Sequence, residues 1–424
     1  MTTDVDTTRR SRALRWGGWA LLGILAVWLL ATSVNQLITG DYWLGGIPNP
    51  LPPLLFFAGP PVLLAALVFL ALARTGLSRV DRLLLSGSIA LLLLVLLHLL
   101  LSGRTWLWVL PDLMPPLLYL LMPLALLVTL AVLGFRRRLT RPVAVTTCAL
   151  IVAATALGAG EAGLNPAAFV GGINDGPAPP GALHIVSWDT LQWTKGSDPR
   201  RFYDFLVGQH ADIYLLQSYA PDADRIRQEF PGYVVATVGT LLTISRFPVV
   251  AQVPLETNST PPPGTDNISF LRDWKYGALR TDLDVRGQLL SVYNVFFYDR
   301  FYLHVMSLTP TFFENIHGLD VGREQQLDRL LADVDENANP RIVAGNFNVL
   351  PNTGDRARLD GLKDAGRADR SLYPVSLTFF GLPLWRMDWT FTSTDIGIHA
   401  YDLISPDGLS SRHLQDVVVS LNRR

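Results

Sequence analysis

Five apolar runs fill most of the first 160 residues of this 424-residue chain, and they restrict what it can fold into. They lie at about 16–36, 53–73, 83–101, 113–135 and 142–160. A helix crossing a bilayer core takes roughly 20 apolar residues, and each run is near that length. In lipid a run must satisfy its own backbone hydrogen bonds, which leaves helix as its form. Pro60, Pro61 and Pro123 fall inside the second and fourth runs, where neighbouring helices can satisfy the freed carbonyls. The first run is long, lacks a small-x-small cleavage pattern and is followed by further runs, so it reads as a span.

Charge sets the orientation. Arg9, Arg10, Arg12 and Arg15 precede the first run, Arg74, Arg79 and Arg82 separate the second and third, and Arg136, Arg137, Arg138 and Arg141 separate the fourth and fifth. The loops on the other side carry only Arg104. The positive-inside rule then places the N-terminus in the cytoplasm. Five spans would put everything after residue 160 on the far side. The expectation is a multi-pass cell-membrane protein with an extracytoplasmic C-terminal domain. The runs hold almost no charge, which argues against transport as the main activity. His98, alone among leucines, reads either as a functional membrane residue or as a buried neutral imidazole.

Residues 161–181 include Gly171, Gly172, Gly176, Pro177, Pro179, Pro180 and Gly181, the composition of a linker. Three parts follow: a transmembrane helical domain over 1–160, a linker over 161–181 and a soluble domain over 182–424. The soluble part carries 23 basic and 29 acidic residues, a formal charge of −6. A nucleic-acid binder usually shows a basic face, so this balance argues against DNA or RNA as a partner. The single cysteine, Cys148, excludes an internal disulfide and a cysteine-based metal site.

Within the soluble part, 183–188, 212–217, 233–238, 241–245, 278–285, 288–297, 388–392, 401–405 and 417–421 read as strands. Residues 199–209, 222–229, 319–337 and 355–366 read as helices, and 254–267 as a proline-rich loop. Many strands with a few interspersed helices imply an α+β sandwich of two sheets with helices outside. Arg341-Ile-Val-Ala-Gly-Asn-Phe-Asn348 reads as a buried strand that delivers two amides to its tip.

Seven short stretches recur in an order that resembles the endonuclease/exonuclease/phosphatase, or DNase I-like, superfamily. Ser187-Trp188-Asp189 resembles its S-W-N, Leu216-Gln217-Ser218 its L-Q-E, and Ile244-Ser245-Arg246-Phe247-Pro248 its I-L-S-R-x-P. Asn294-Val295-Phe296 resembles N-x-H, and Arg323-Glu324-Gln325-Gln326 resembles R-x-x-Q. Gly345-Asn346-Phe347-Asn348 resembles G-D-F-N, and Tyr401-Asp402-Leu403 resembles I-D-Y. An eighth, S-D-H, is matched poorly by the stretch Ser411-Arg412-His413 to Asp416. The resemblance implies a four-layer α/β/β/α sandwich that hydrolyses phosphate esters with a divalent cation, Mg or Mn.

The matches preserve the scaffold and depart at the chemical positions. A hard cation wants carboxylate oxygens, and Ser218 stands where the resemblance implies the metal-binding glutamate. Asn346 replaces an aspartate and cannot act as a base. Phe296 replaces a phosphate-binding histidine, Arg412 replaces an aspartate, and Asp189 replaces an asparagine. Asn348 and Asp402 match outright, with His413 as the candidate histidine. Two readings stay open. One is a pseudoenzyme that binds phosphate-containing ligands, cell-envelope ligands or proteins. The other is a metal-dependent phosphoesterase with a rebuilt site, in which Asp189, Asp402 and Asp416 hold the metal near His413 or His304. Bacterial members with a similar layout imply lipid-linked phosphates of the envelope as the ligand class. Asp189, Ser218, Asn346, Asn348 and Asp402 are expected to line one cleft.

Overall fold

The computed structural model describes residues 43–44, 47–48, 51–136, 139–170, 178–191, 198–219, 223–257, 275–300, 309–379 and 382–422. The first apolar run lies outside these residues. The other four form helices: α1 (Leu51–Ala71), α2 (Arg79–Leu101), α3 (Leu118–Phe135) and α4 (Arg141–Gly158). Three helical stretches, Arg79–Leu101, Leu118–Phe135 and Arg141–Ala162, are long and apolar enough to cross a membrane. Ser78 caps α2 by accepting the Asp81 amide, which fixes where the apolar run enters helix. Tyr119, Leu91, Leu94, Val95 and Ala154 pack the helices together. Leu121, Leu124, Val128 and Val132 stay exposed on one side of α3.

Among the described residues the C-terminal part has a two-stranded ribbon, Leu377–Phe379 with Leu382–Trp385, and twelve strands in two six-stranded sheets. These are β1 (Leu183–Asp189), β2 (Ile213–Gln217), β3 (Val234–Val238), β4 (Leu241–Ser245), β5 (Val249–Glu256), β6 (Tyr276–Val285), β7 (Gln288–Phe296), β8 (Arg341–Asn346), β9 (Lys363–Asp364), β10 (Asp388–Thr392), β11 (Ile396–Ile404) and β12 (Leu414–Leu421). One sheet runs β11-β12-β1-β2-β4-β3, the other β9-β10-β8-β7-β6-β5. Only β1/β2 and β8/β7 are parallel pairs within them.

The sheets stack face to face. Leu183, Ile185, Ile213 and Leu215 from the first meet Leu283, Leu290, Val292, Ile342 and Ala344 from the second. Because strand side chains alternate, Val186, Trp188, Tyr214 and Leu216 face the other way. They pack under α5 (Pro199–Gly208) and α6 (Ala223–Glu229) through Phe202, Leu206 and Ile226. Tyr293, Val295, Val343 and Phe391 likewise pack under α7 (Pro310–Glu336) through Leu327, Leu330 and Val334. The result is the expected α/β/β/α order. Asp198 caps α5 and Thr309 caps α7, each followed by proline at the first helical position.

Three local expectations change. Helix α7 begins at Pro310, a turn and more before the predicted 319, because Phe312 and Ile316 continue its buried stripe. The predicted helix over 355–366 shrinks to Gly354–Ala357, with Lys363–Asp364 pairing as an edge strand. The first part of the predicted linker is packed: Ala159–Ala162 and Pro166–Val170 form 3-10 turns. Asn165 there is buried, its side chain donating to the Asp369 carbonyl at 2.7 Å.

The connection between α2 and α3 docks the helices onto the sandwich. Its short helix Val109–Asp112, with Leu113, packs against Phe312, Ile316, Leu350 and Trp385. The Trp385 indole donates to the Leu113 carbonyl at 3.0 Å and the Asn352 amide to the Asp112 carbonyl at 3.2 Å. Asp112 also lies 3.4 Å from Arg300, a buried residue that pairs in turn with Asp355. Arg323 joins Asp355 from α7 at 3.2 Å. Burial and the neighbouring Arg300 push the Arg323 guanidinium down to about 10. Asp355 resists the upward push of burial and stays below the usual carboxylate range, because Arg300 and Arg323 flank it. At Gly103 and Gly354 the backbones themselves touch: a Cβ on Gly103 would lie 2.7 Å from the Gly354 Cα.

Gly345 delivers Asn346 to the sheet edge. Its φ is +145°, and a Cβ there would overlap the Val295 carbonyl oxygen on β7. Gly345→Ala should therefore destabilise the full chain by about 1–3 kcal/mol or more, read as a lower melting temperature in detergent. An unchanged melting temperature would show that the β7–β8 contact can relax.

Candidate functional site

The site forms where the two sheets open at the ends of their parallel strands. In the second sheet Asn346 is in register with Phe296 on β7 and Asp388 on β10. In the first, Asp189 is in register with Gln217 on β2. Both rows end on residues facing the space between the sheets. The Asn346 amide closes that space by donating to Asp189 Oδ2 at 2.7 Å. The Asn348 backbone N–H donates to Asn346 Oδ1 at 2.9 Å, and the Asn348 side-chain amide to the Phe297 carbonyl at 2.9 Å. Asn348 has φ +51°, a left-handed conformation that asparagine tolerates better than most residues.

Arg412 enters this space. It is 5% exposed, with Nε 3.5 Å from Asp189 Oδ2 and Nη1 3.4 Å from Asp388 Oδ2. Nη2 reaches Asn348 Oδ1 at 3.5 Å. Burial works against its charge, but Asp388, Asp189 and Asp299 outweigh it and hold the guanidinium above its ordinary pKa. Asp388 is pushed up to about 6, first by burial and then by Asp189, with Arg412 opposing. Asp299 is also pushed up to about 6 by burial, again against Arg412.

Behind the cleft, a polar layer ties the sheets together. The Gln217 amide donates to Asn294 Oδ1 at 2.6 Å, and the Asn294 amide donates to the Leu216 and Leu242 carbonyls, each at 3.0 Å. Gln217 and Asn294 are the preserved residues of their motifs, and here they have a structural task. Phe296 packs with Ala236, Leu241 and Leu279, so the position expected to hold a histidine is core.

The structure brings together Asp189, Asn346 and Asn348 as expected. Ser218 lies one residue beyond the Asp189 register partner, with its carbonyl accepting from Thr190 Oγ1 at 3.0 Å. Asp402 is a correction. It is exposed on the edge strand β11, opposite Asp416, which in turn pairs with Val186, three residues short of Asp189 on β1. Asp416 is engaged by His184 at 2.8 Å, which raises the His184 pKa. Neither acid joins Asp189. The cleft acid is Asp388. The signal for it was Met387-Asp388-Trp389, an aspartate between an apolar and an aromatic residue at the start of a strand. His413 is half-buried, its backbone N–H donating to the Ser376 carbonyl at 2.8 Å. Burial lowers its pKa. No described cleft carboxylate hydrogen-bonds to it. His304 lies outside the described residues.

The donor set does not fit a hard divalent cation. Such a cation takes several convergent oxygens, preferably carboxylate. Asp189 and Asp388 converge, but a permanent cation of the chain already lies between them. Among the described residues no group of three or more His, Cys, Asp or Glu is arranged to hold a metal. No hydrolytic step through such an ion follows from these residues.

No family model and no curated protein matches the chain. Solved structures do. An endonuclease/exonuclease/phosphatase from Bacteroides vulgatus is 14% identical, with a TM-score of 0.41, over 57% of this chain and 99% of that one. The human Nocturnin catalytic domain with bound sulfate is 15% identical, with a TM-score of 0.40, over 57% and 93%. A mannosyl-6-phosphatase from Bacteroides thetaiotaomicron is 14% identical, with a TM-score of 0.41, over 56% and 100%. At these identities and scores the likeness carries nothing of their reactions or ligands over to this chain.

Removing Arg412 should expose the charge balance of the cleft. Arg412→Ala leaves buried carboxylates without their counter-charge, a loss of about 3–5 kcal/mol for a broken buried pair. Folding raises the carboxyl pKa of Asp388, so protonation favours the folded state. The penalty grows as pH rises from about 4, the unfolded value, through about 6. The variant should melt well below the parent at neutral pH, with the gap narrowing near pH 5. A gap independent of pH would mean that Arg412 acts through packing alone.

Proposed function

We propose that this chain is a membrane-anchored binding protein whose sandwich has the DNase I-like arrangement without its metal-dependent hydrolysis. The observation that supports this most directly is Arg412, placed between Asp189 and Asp388. Ser218 in place of a glutamate, Asn346 in place of an aspartate and Phe296 in the core point the same way. The cleft keeps amides, a guanidinium and carboxyls that can receive a polar ligand. The ligand class we favour is a phosphate-containing or envelope molecule, small or lipid-linked, or a protein of the envelope. Alternating arginine clusters and apolar runs support a cytoplasmic N-terminus and an extracytoplasmic sandwich.

A second reading, a phosphoesterase with a rebuilt site, draws support from Asp299 and Asp388. Carboxyls with pKa near 6 are suited to general acid–base work near neutral pH. The two readings part on a titration. Full-length protein in detergent is titrated calorimetrically with Mg²⁺ and Mn²⁺, and assayed on a nitrophenyl phosphodiester and on lipid pyrophosphates. The binding-protein reading expects no metal-binding heat from the cleft and no turnover. The double change Ser218→Glu with Arg412→Asp should then create measurable metal affinity. Metal-dependent turnover of the parent, abolished by Asp189→Ala, would overturn the reading.

A further inference from the structure

An open pocket of about 670 Å³ lies away from the cleft, where the membrane helices meet the sandwich. Sites for small ligands commonly span roughly 300–1,000 Å³. One part of its wall is the end of α2 (His98, Leu99, Ser102) with the turn after α4 (Glu161 to Ala167). The rest is sandwich: Asn352, Arg356, Arg367, Arg386 and Trp389 among others. Strand alternation separates pocket from cleft. Trp389 packs with Phe391, Val343 and Phe347 on the outer side of its sheet, while its neighbour Asp388 faces Arg412 between the sheets.

The lining is chemically mixed. Arg386 is buried, pairs with Asp364 at 2.8 Å and sits 3.8 Å from the centre of the Trp389 ring. Arg356 flanks the same ring at 5.0 Å and pairs with Asp360 at 2.6 Å. Arg367 is exposed and has no ion-pair partner among the described residues. An acceptor stands on the same wall. Glu161 lies 3.5 Å from His98, and its side chain is partly accessible. Asn352 is 1% exposed and lies at the back of the wall, with its amide donating to the Asp112 carbonyl and its side chain against Tyr119.

Cationic and acceptor groups in near balance suit a zwitterion better than a polyanion. The apolar helices α2, α3 and α4 end at this level, and exposed Leu99, Leu100 and Leu157 belong to the helix ends closest to it. We propose that the pocket binds the headgroup of a membrane phospholipid that carries both a phosphate and a primary ammonium. The phosphate meets Arg367 and Arg356, and the ammonium pairs with Glu161. This rests on the membrane reading of the helices and is independent of what the cleft does.

The test uses the full chain, stripped of lipid in detergent and offered phosphatidylethanolamine, phosphatidylcholine and phosphatidylglycerol in equal amounts. Retained lipid is read by native mass spectrometry. The expected result is preferential retention of phosphatidylethanolamine, since the choline headgroup has no N–H donor and the glycerol headgroup no positive charge. Glu161→Gln should erase the preference over phosphatidylcholine, and exposed Arg367→Ala should reduce retention of all three. Competition by soluble phosphoethanolamine would place recognition in the headgroup alone; lipid retention without that competition would show that the acyl chains are also required. Equal retention of the three lipids, a preference for phosphatidylglycerol, or parent-like behaviour of both variants would overturn the proposal. None of these outcomes depends on metal binding or turnover in the cleft.

Discussion

Buried carboxylates need a counter-charge, and in this molecule the chain supplies it from within. Asp189 ends β1, Asp388 begins β10, and both reach Arg412 between the sheets. Without a cation there, two adjacent negative charges in a poorly solvated space would disfavour closure of the sandwich at that edge. Arg412 provides the charge permanently and without dependence on solution conditions. Fixing the charge also fixes the geometry: a guanidinium is planar, and its contacts with Asp189, Asp388 and Asn348 orient all three. A cleft neutralised by a side chain is stable in its own right, and it has correspondingly less to gain from an ion.

The same device recurs where the helices meet the sandwich. Arg300 reaches Asp112 from the α2–α3 connection and Asp355 from the sandwich, and Arg323 closes the group from α7. Arg300 also donates to the carbonyl of Asn348, the last residue of the motif that frames the cleft, at 3.2 Å. Charge clusters of this kind are costly to disrupt because each member left behind stays buried. The helical and sandwich parts are therefore joined by groups that stabilise one another only while both parts are present.

The sequence carries the layers of the sandwich because their alternation is local. Ile185, Ser187 and Asp189 face inward and Val186 and Trp188 outward, a pattern legible in five consecutive residues. Apolar runs with flanking arginines likewise announce helices without any tertiary knowledge. The cleft was legible only where a residue terminates a strong strand, as Asp189 and Asn346 do. Asp388 was obscured because its strand is short and Asp402 sits in an equally plausible one. Only the sheet order, with β11 at the edge, separates them. Arg412 could be read as a departure but not as a counter-ion, since it meets Asp189 across 223 residues of chain. His98 shows the same limit. Alone in its helix it looked neutral and solitary, yet Asp112 and Glu161 lie 3.3 and 3.5 Å from its ring, brought there by two other segments.

Gly103 and Gly354 meet backbone to backbone, with the Gly354 N–H donating to Ser102 Oγ at 2.9 Å. No side chain separates the two parts at that point, so there is no cushion that could yield as one part tilts. The helices and the sandwich must then move as a single lever. On the proposed membrane reading, a change in bilayer thickness that alters helix tilt would swing the proposed binding cleft through the same angle, turning a mechanical property of the lipid into the orientation of a surface.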